Sequence, residues 1–116
     1  MDATTPSTSL LAQVMSAASL RHRVIAQNVA NVNTPGYRRL AVTFEDELAK
    51  ALPSPGASAG VRPRVEVADG PARVDGNTVD IDREMNDLAK NAQLYQAAAQ
   101  ILTSRIASLR AAVAGR

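Results

Sequence analysis

From Ile81 onward the chain places an apolar residue at alternating steps of four and three: Ile81, Met85, Leu88, Ala92, Tyr95, Ala99, Leu102, Ile106, Leu109 and Val113. A row with this spacing is a heptad seam, and it constrains the fold more than any other feature of the sequence. No Gly or Pro interrupts residues 81–114. The spacing therefore predicts one continuous helix, roughly 50 Å long at 1.5 Å per residue. Its charges agree with its direction. Asp80, Asp82, Glu84 and Asp87 crowd the N-terminal end, Arg105, Arg110 and Arg116 lie toward the other, and no acid occurs after Asp87, which complements the helix dipole. Asp80 is the expected N-cap and Gly115 the expected stop.

A second helix is expected over residues 10–32. Leu11, Met15, Ala18, Ile25, Val29 and Val32 recur at helical spacing, and Leu10, Val14, Ala17, Leu20 and Val24 form an adjacent stripe, so its apolar face is wide. Thr34 precedes Pro35 and is pushed out of the helical region, and Pro35-Gly36 suits the central positions of a type II turn. Thr43 with Asp46 three residues on resembles a capping box, and Phe44, Leu48 and Leu52 continue as a short helix until Pro53. Residues 53–76 are rich in Pro and Gly. Within them Arg64-Val65-Glu66-Val67 alternates as a strand does, and residues 74–79 place Asp75-Gly76 between β-prone residues. The stretch reads as a small hairpin or as an irregular loop.

The expected organisation is a flexible lead (1–9), an N-terminal helix, turn and short helix (10–52), a middle loop with a small β-hairpin (53–79) and a C-terminal helix (80–116). The fold class is mainly α, with the two long helices packed as a coiled-coil-like pair. An antiparallel pairing would bring Arg21, Arg23, Arg38 and Arg39 toward the acidic start of the last helix. Leu94, Ala98 and Ile101 form a further stripe beside the seam. A two-helix pair cannot cover every stripe, so the surplus is expected to meet other subunits. Aromatic residues make up only 3% of the chain and much of the 46% apolar content is Ala, which limits what one copy can bury by itself.

Several functions are disfavoured. The chain has no Cys and one His, which removes thiolate chemistry and leaves little for a metal; no cofactor is expected. His22, between Arg21 and Arg23, reads as a solvated surface residue. Asp80, Asp82 and Glu84 lack the Gly and distal Glu of a calcium loop. There is no phosphate loop or nucleophile elbow, so catalysis is not expected. A net charge of +2, few aromatics and spread charges argue against nucleic acid. The first thirty residues lack the basic region before an apolar core that marks a cleavable signal, and no stretch is long and apolar enough to span a membrane.

The segment from Ile25 to Tyr37, IAQNVANVNTPGY, resembles the N-terminal signature of the bacterial flagellar rod and hook axial proteins, with a mild departure at Gln27. The run DGNTVD at 75–80, with Tyr95-Gln96-Ala97 beyond it, looks like a proximal rod member of that family; a sibling proximal rod protein is the alternative. The resemblance spans about residues 10–52 and 74–114. It implies a structural subunit exported through the flagellar type III apparatus without a cleaved signal. Such a subunit assembles helically in the periplasm and contacts other rod proteins and the basal membrane ring with its adaptors. It also makes the turn motif, Asn28, Asn31, Asn33, Thr34, Pro35, Gly36 and Tyr37, a candidate contact site. Asn28 and Asn31 share a helix face: they either cap a fraying end or bond the turn or a neighbouring subunit. Tyr37 either covers the helix end or meets a neighbour, and Tyr95 packs in the seam. A reading from another class is a helical hairpin that docks a single partner helix.

Overall fold

The computed structural model describes residues 8–53 and 60–115. In chain order it contains helix α1 (Thr8–Ala30), strand β1 (Leu40–Thr43), helix α2 (Glu45–Ala51), strand β2 (Arg64–Val67) and helix α3 (Ile81–Val113). The helices α1 and α3 lie antiparallel: Asn28, near the end of α1, bonds Glu84 at the start of α3, while Ala18 meets Asn91 farther along. The molecule is drawn out, with principal extents of 64 × 24 × 14 Å, because α3 alone runs for 33 residues.

The core forms where one stripe of α1 meets α3, β1 and the segment before β2. Leu10, Leu11, Val14, Ala17 and Val24 pack with Val42, Phe44, Val61 and Ala98. The strands pair antiparallel with Leu40 opposite Val67 and Thr43 opposite Arg64. The expected strand over 64–67 is thus present, but its partner is β1; residues 74–79 form a turn and irregular chain instead. A hairpin between neighbouring stretches of the middle segment is replaced by a longer-range pair because β1 is held in place by α1. Asn28 bonds both Leu40 N and Leu40 O, and the Arg21 guanidinium donates to Val42 O.

Thr43 belongs to that sheet, so the expected capping box with Asp46 does not form. The α2 N-cap is Phe44, without a side-chain cap, and Glu45 Oε2 accepts from Phe44 N at 3.0 Å. Thr8 and Ser9 belong to the first turn of α1 and not to a flexible lead; the rest of that expected lead lies outside the described residues. The start of α3 is as expected, with Asp80 accepting from Asp82 N and Arg83 N.

Arg21 lies over the Phe44 ring, 4.4 Å from its centroid, and pairs with Glu45 at 2.5 Å. Burial works against a charge on Glu45, but bonds from Phe44 N and Arg21, with the guanidinium charge, outweigh it and hold the carboxyl below its ordinary value. A depressed folded-state pKa means that this stabilisation is present above the ordinary carboxylate range and lost as pH falls through the folded value. The melting temperature of the wild type is therefore expected to exceed that of Glu45→Gln at pH 7, and the gap to shrink as pH falls below the ordinary carboxylate range and through the folded value. A gap that persists at the acid end would assign the stabilisation to packing.

The face that α3 turns toward α1 differs from the expected one. Glu84, Asn91 and Ala98 are its buried residues, and Leu94 packs against the core beside them. The heptad seam lies to one side of this face. Ile81, Met85, Tyr95, Ile106, Leu109 and Val113 are between 40% and 90% exposed, Ala92 is exposed, and only Leu88, Ala99 and Leu102 are half-buried. The stripe expected to be surplus is split as well: Leu94 and Ala98 face inward and Ile101 stays exposed. Two polar residues explain the exchange. Glu84 and Asn91 interrupt the inward row, yet Glu84 is bonded through both oxygens and Asn91 donates to Ala18 O, its Oδ1 alone lacking a partner, so this row packs inside and the uninterrupted apolar row is left largely outside.

Candidate functional site

The end of α1 carries a junction of buried amides. Asn28 is fully buried, which follows from its place in the row Val14, Ala17, Ala18, Val24, Ile25, Asn28 on the inward face of α1. Its Nδ2 donates to Leu40 O at 2.8 Å and to Glu84 Oε2 at 3.1 Å, and its Oδ1 accepts from Leu40 N at 3.0 Å and Tyr37 Oη at 3.1 Å. Those bonds use both donors and both lone pairs of the amide. Burial, together with the negative charge of Glu84, raises the Tyr37 pKa, against the effect of a side-chain bond with Gln27. The phenol stays protonated and remains a donor to Asn28.

Glu84, also fully buried, accepts from Arg39 Nε at 2.7 Å through its other oxygen. Arg39 is itself buried and reaches Asp87 at 3.6 Å, and its backbone N donates to Thr78 Oγ1 at 2.8 Å. Of the arginines expected near the acidic start of α3, Arg39 is the one that pairs there. Arg21 turns to β1 and α2, and Arg23 and Arg38 are exposed.

A second amide, Asn77, is fully buried beneath the turn after α1. Its Nδ2 lies within bonding distance of Asn31 O (2.9 Å), Val32 O (3.2 Å) and Thr34 O (2.8 Å), so it caps carbonyls that the end of α1 leaves open. Its Oδ1 accepts from Val79 N at 2.7 Å. Arg73 adds donors to Val32 O and to Val79 O.

The turn itself has the expected form: Tyr37 N donates to Thr34 O at 3.2 Å, and Gly36 has φ +74°, the left-handed conformation required after Pro35 in a type II turn. A second left-handed glycine, Gly76 at φ +85°, sits against it, and a methyl group on Gly76 would come within 3.4 Å of Gly36 Cα. Gly36 N donates to Asp75 O at 2.8 Å, and Thr78 N to Tyr37 O at 3.0 Å. The two turns thus dock backbone to backbone.

Asn31 bonds locally, donating to Gln27 O and accepting from Thr34 Oγ1, while Asn33, Thr34, Pro35 and Gly36 are exposed. The expected motif is therefore split. Asn28 and Tyr37 hold the junction together, Asn31 shapes the turn, and the turn's tip faces outward. Sequence reasoning misses Glu84, Arg39, Asn77 and Asn91 as site residues. Only the stretch DGNTVD points toward one of them.

Among the described residues, no group of His, Cys, Asp and Glu could hold a metal ion, and none of the helices is long and apolar enough to cross a membrane. What the described residues present outward is the tip of the turn and, along α3, a largely exposed apolar row.

Comparison with known proteins gives a consistent result. A family model described as "Flagella basal body rod protein" matches residues 12–38. The flagellar basal body rod protein FlgB of Borrelia hermsii is 36% identical over 110 residues, covering 77% of this chain and 82% of that protein. FlgB of Cereibacter sphaeroides is 31% identical over 117 residues, covering 90% and 91%. FlgB of Bacillus subtilis is 28% identical over 117 residues, with the same coverage.

Proposed function

The chain belongs to the FlgB family of flagellar basal body rod proteins, and on that premise we propose that it builds the proximal rod by helical self- and hetero-assembly through α1 and α3. As a rod component it is a structural protein of the flagellar basal body and associates with other basal body components. The finer reading places it in the periplasm, exported through the flagellar type III apparatus without a cleaved signal. There it touches other rod proteins and the membrane ring with its adaptors. The exposed seam on α3 is the observation that carries this reading. Burying such a row is worth about 25 cal/mol per Å² of apolar surface removed from water, and α1 leaves most of it exposed. The exposed tip of the turn, Asn33 to Gly36, is the second proposed contact.

The test changes the seam without touching the inward face. Leu94 and Ala98 are unsuitable because they pack against α1 or the core. Met85→Glu combined with Ile106→Glu alters exposed residues only. Expressed in place of the wild type, this variant is expected to abolish swimming and to leave no rod on isolated basal bodies, while the purified protein keeps its helical circular dichroism. Normal swimming would overturn the assembly role of the seam. A saturable one-to-one complex with a single partner, and no polymer, would favour a docking module.

A further inference from the structure

The exposed seam has a property that its spacing alone does not require. If two copies of α3 run antiparallel with full overlap, Ile81 faces Val113 of the second copy, Met85 faces Leu109, Leu88 faces Ile106, Ala92 faces Leu102 and Tyr95 faces Ala99. Each small residue then lies opposite a large one around the middle of the helix, where a dense core needs it. A parallel, in-register pair would set Tyr95 on Tyr95 and Ala on Ala at both 92 and 99, alternating collision with void. Charge selects the same arrangement. Asp82 adjoins the first seam residue and Arg110 adjoins Leu109 near the last, and only the antiparallel pair brings them side by side, once at each end. A parallel pair keeps Asp82 and Arg110 at opposite ends of the helix, too far apart to pair.

Access is open on this flank. The sheet lies on the other side of α3, beside Arg83, Asp87, Lys90 and Leu94; most of the seam is exposed, while Leu88, Ala99 and Leu102 are half-buried and Leu102 also touches the core of its own molecule.

We propose that the free subunit forms a two-fold dimer in which the seam of α3 packs antiparallel against the same seam of a second copy. A two-fold contact is closed, whereas a rod grows by head-to-tail contacts that do not close. The dimer is therefore a state of the subunit outside the polymer: it hides the row that assembly needs, and subunits must separate before they add to the rod. This last consequence rests on the assembly reading above, but the dimer itself does not.

The chain has no Cys, which makes crosslinking direct. Met85→Cys and Leu109→Cys proteins are purified separately, mixed and mildly oxidised. The expected result is a mixed disulfide dimer in excess of either like-with-like product. Light scattering on the unmodified protein should give a mass about twice 12.2 kDa, and Tyr95→Glu should weaken association at least about tenfold. Like-with-like crosslinks in excess, or a monomer mass at every concentration into the millimolar range, would overturn the dimer. Loss of swimming in the seam variant together with a monomer mass would reject the dimer and leave the assembly reading standing; normal swimming with a dimer would do the reverse.

Discussion

Glu84→Ala is expected to lower the unfolding free energy by about 3–5 kcal/mol, because it strands a buried guanidinium and a buried amide donor together. Arg39 Nε and Asn28 Nδ2 both point at the Glu84 carboxylate, and Arg39 is only 5% exposed. After the change its nearest carboxylate is Asp87 at 3.6 Å, a residue only half-buried. Domains of this size have total stabilities of about 5–15 kcal/mol, so much of the margin goes with one side chain. Glu84→Gln keeps the shape and an acceptor but removes the charge, and it should lose less than the Ala variant. Urea unfolding monitored by circular dichroism measures both. A loss below about 1 kcal/mol for Glu84→Ala would mean that water reaches Arg39 freely and that the pair is not a buried one.

The second large effect is at Asn28. Asn28→Ala leaves Leu40 N and Leu40 O without their side-chain partner and removes the acceptor of Tyr37 Oη. An unpaired buried group costs about 1–3 kcal/mol, and the phenol can still turn toward water, so a loss of about 3–4 kcal/mol is expected. Asn28→Asp separates the amide's donors from its volume. The carboxylate can still accept from Leu40 N and Tyr37 Oη, but it faces Leu40 O and sets a second negative charge against Glu84. If the amide acts through both halves, the Asp variant must be at least as unstable as the Ala variant. An Asp variant close to wild type would show that only the acceptor side matters. Because Asn28 and Glu84 share a bond, the double variant should lose less than the sum of the two singles.

The long helices, the turn at Pro35-Gly36 and the cap at Asp80 are legible in the sequence because each is decided by neighbours in the chain: spacing, a fixed φ, a side chain reaching the next amide. The face of α3 is not. Reading for apolar periodicity favours the row without polar interruption, and here the inward row is the one broken by Glu84 and Asn91. Their partners Arg39, Asn28 and Ala18 lie far off in sequence, so nothing local marks these residues as facing inward. Strand β1 escapes for a related reason. Leu40–Thr43 is short, and it is held by side chains of α1 on one edge and by β2 on the other. Thr43 accordingly resembles a cap when judged only against Asp46 and the apolar positions of α2. Asn77 stands within DGNTVD, but its role depends on carbonyls more than forty residues upstream.

The docking of the two glycine turns bears on the order of folding. Open carbonyls at the end of the first helix are answered by Asn77 and Arg73, and Asn28 is completed by Glu84. A growing chain that has emerged only as far as α2 thus has nothing to close its first half, and the closing contacts span a long loop whose entropy must be overcome at once. Folding is expected to wait for the whole polypeptide and then to proceed as a single cooperative event, with no stable half-molecule along the way.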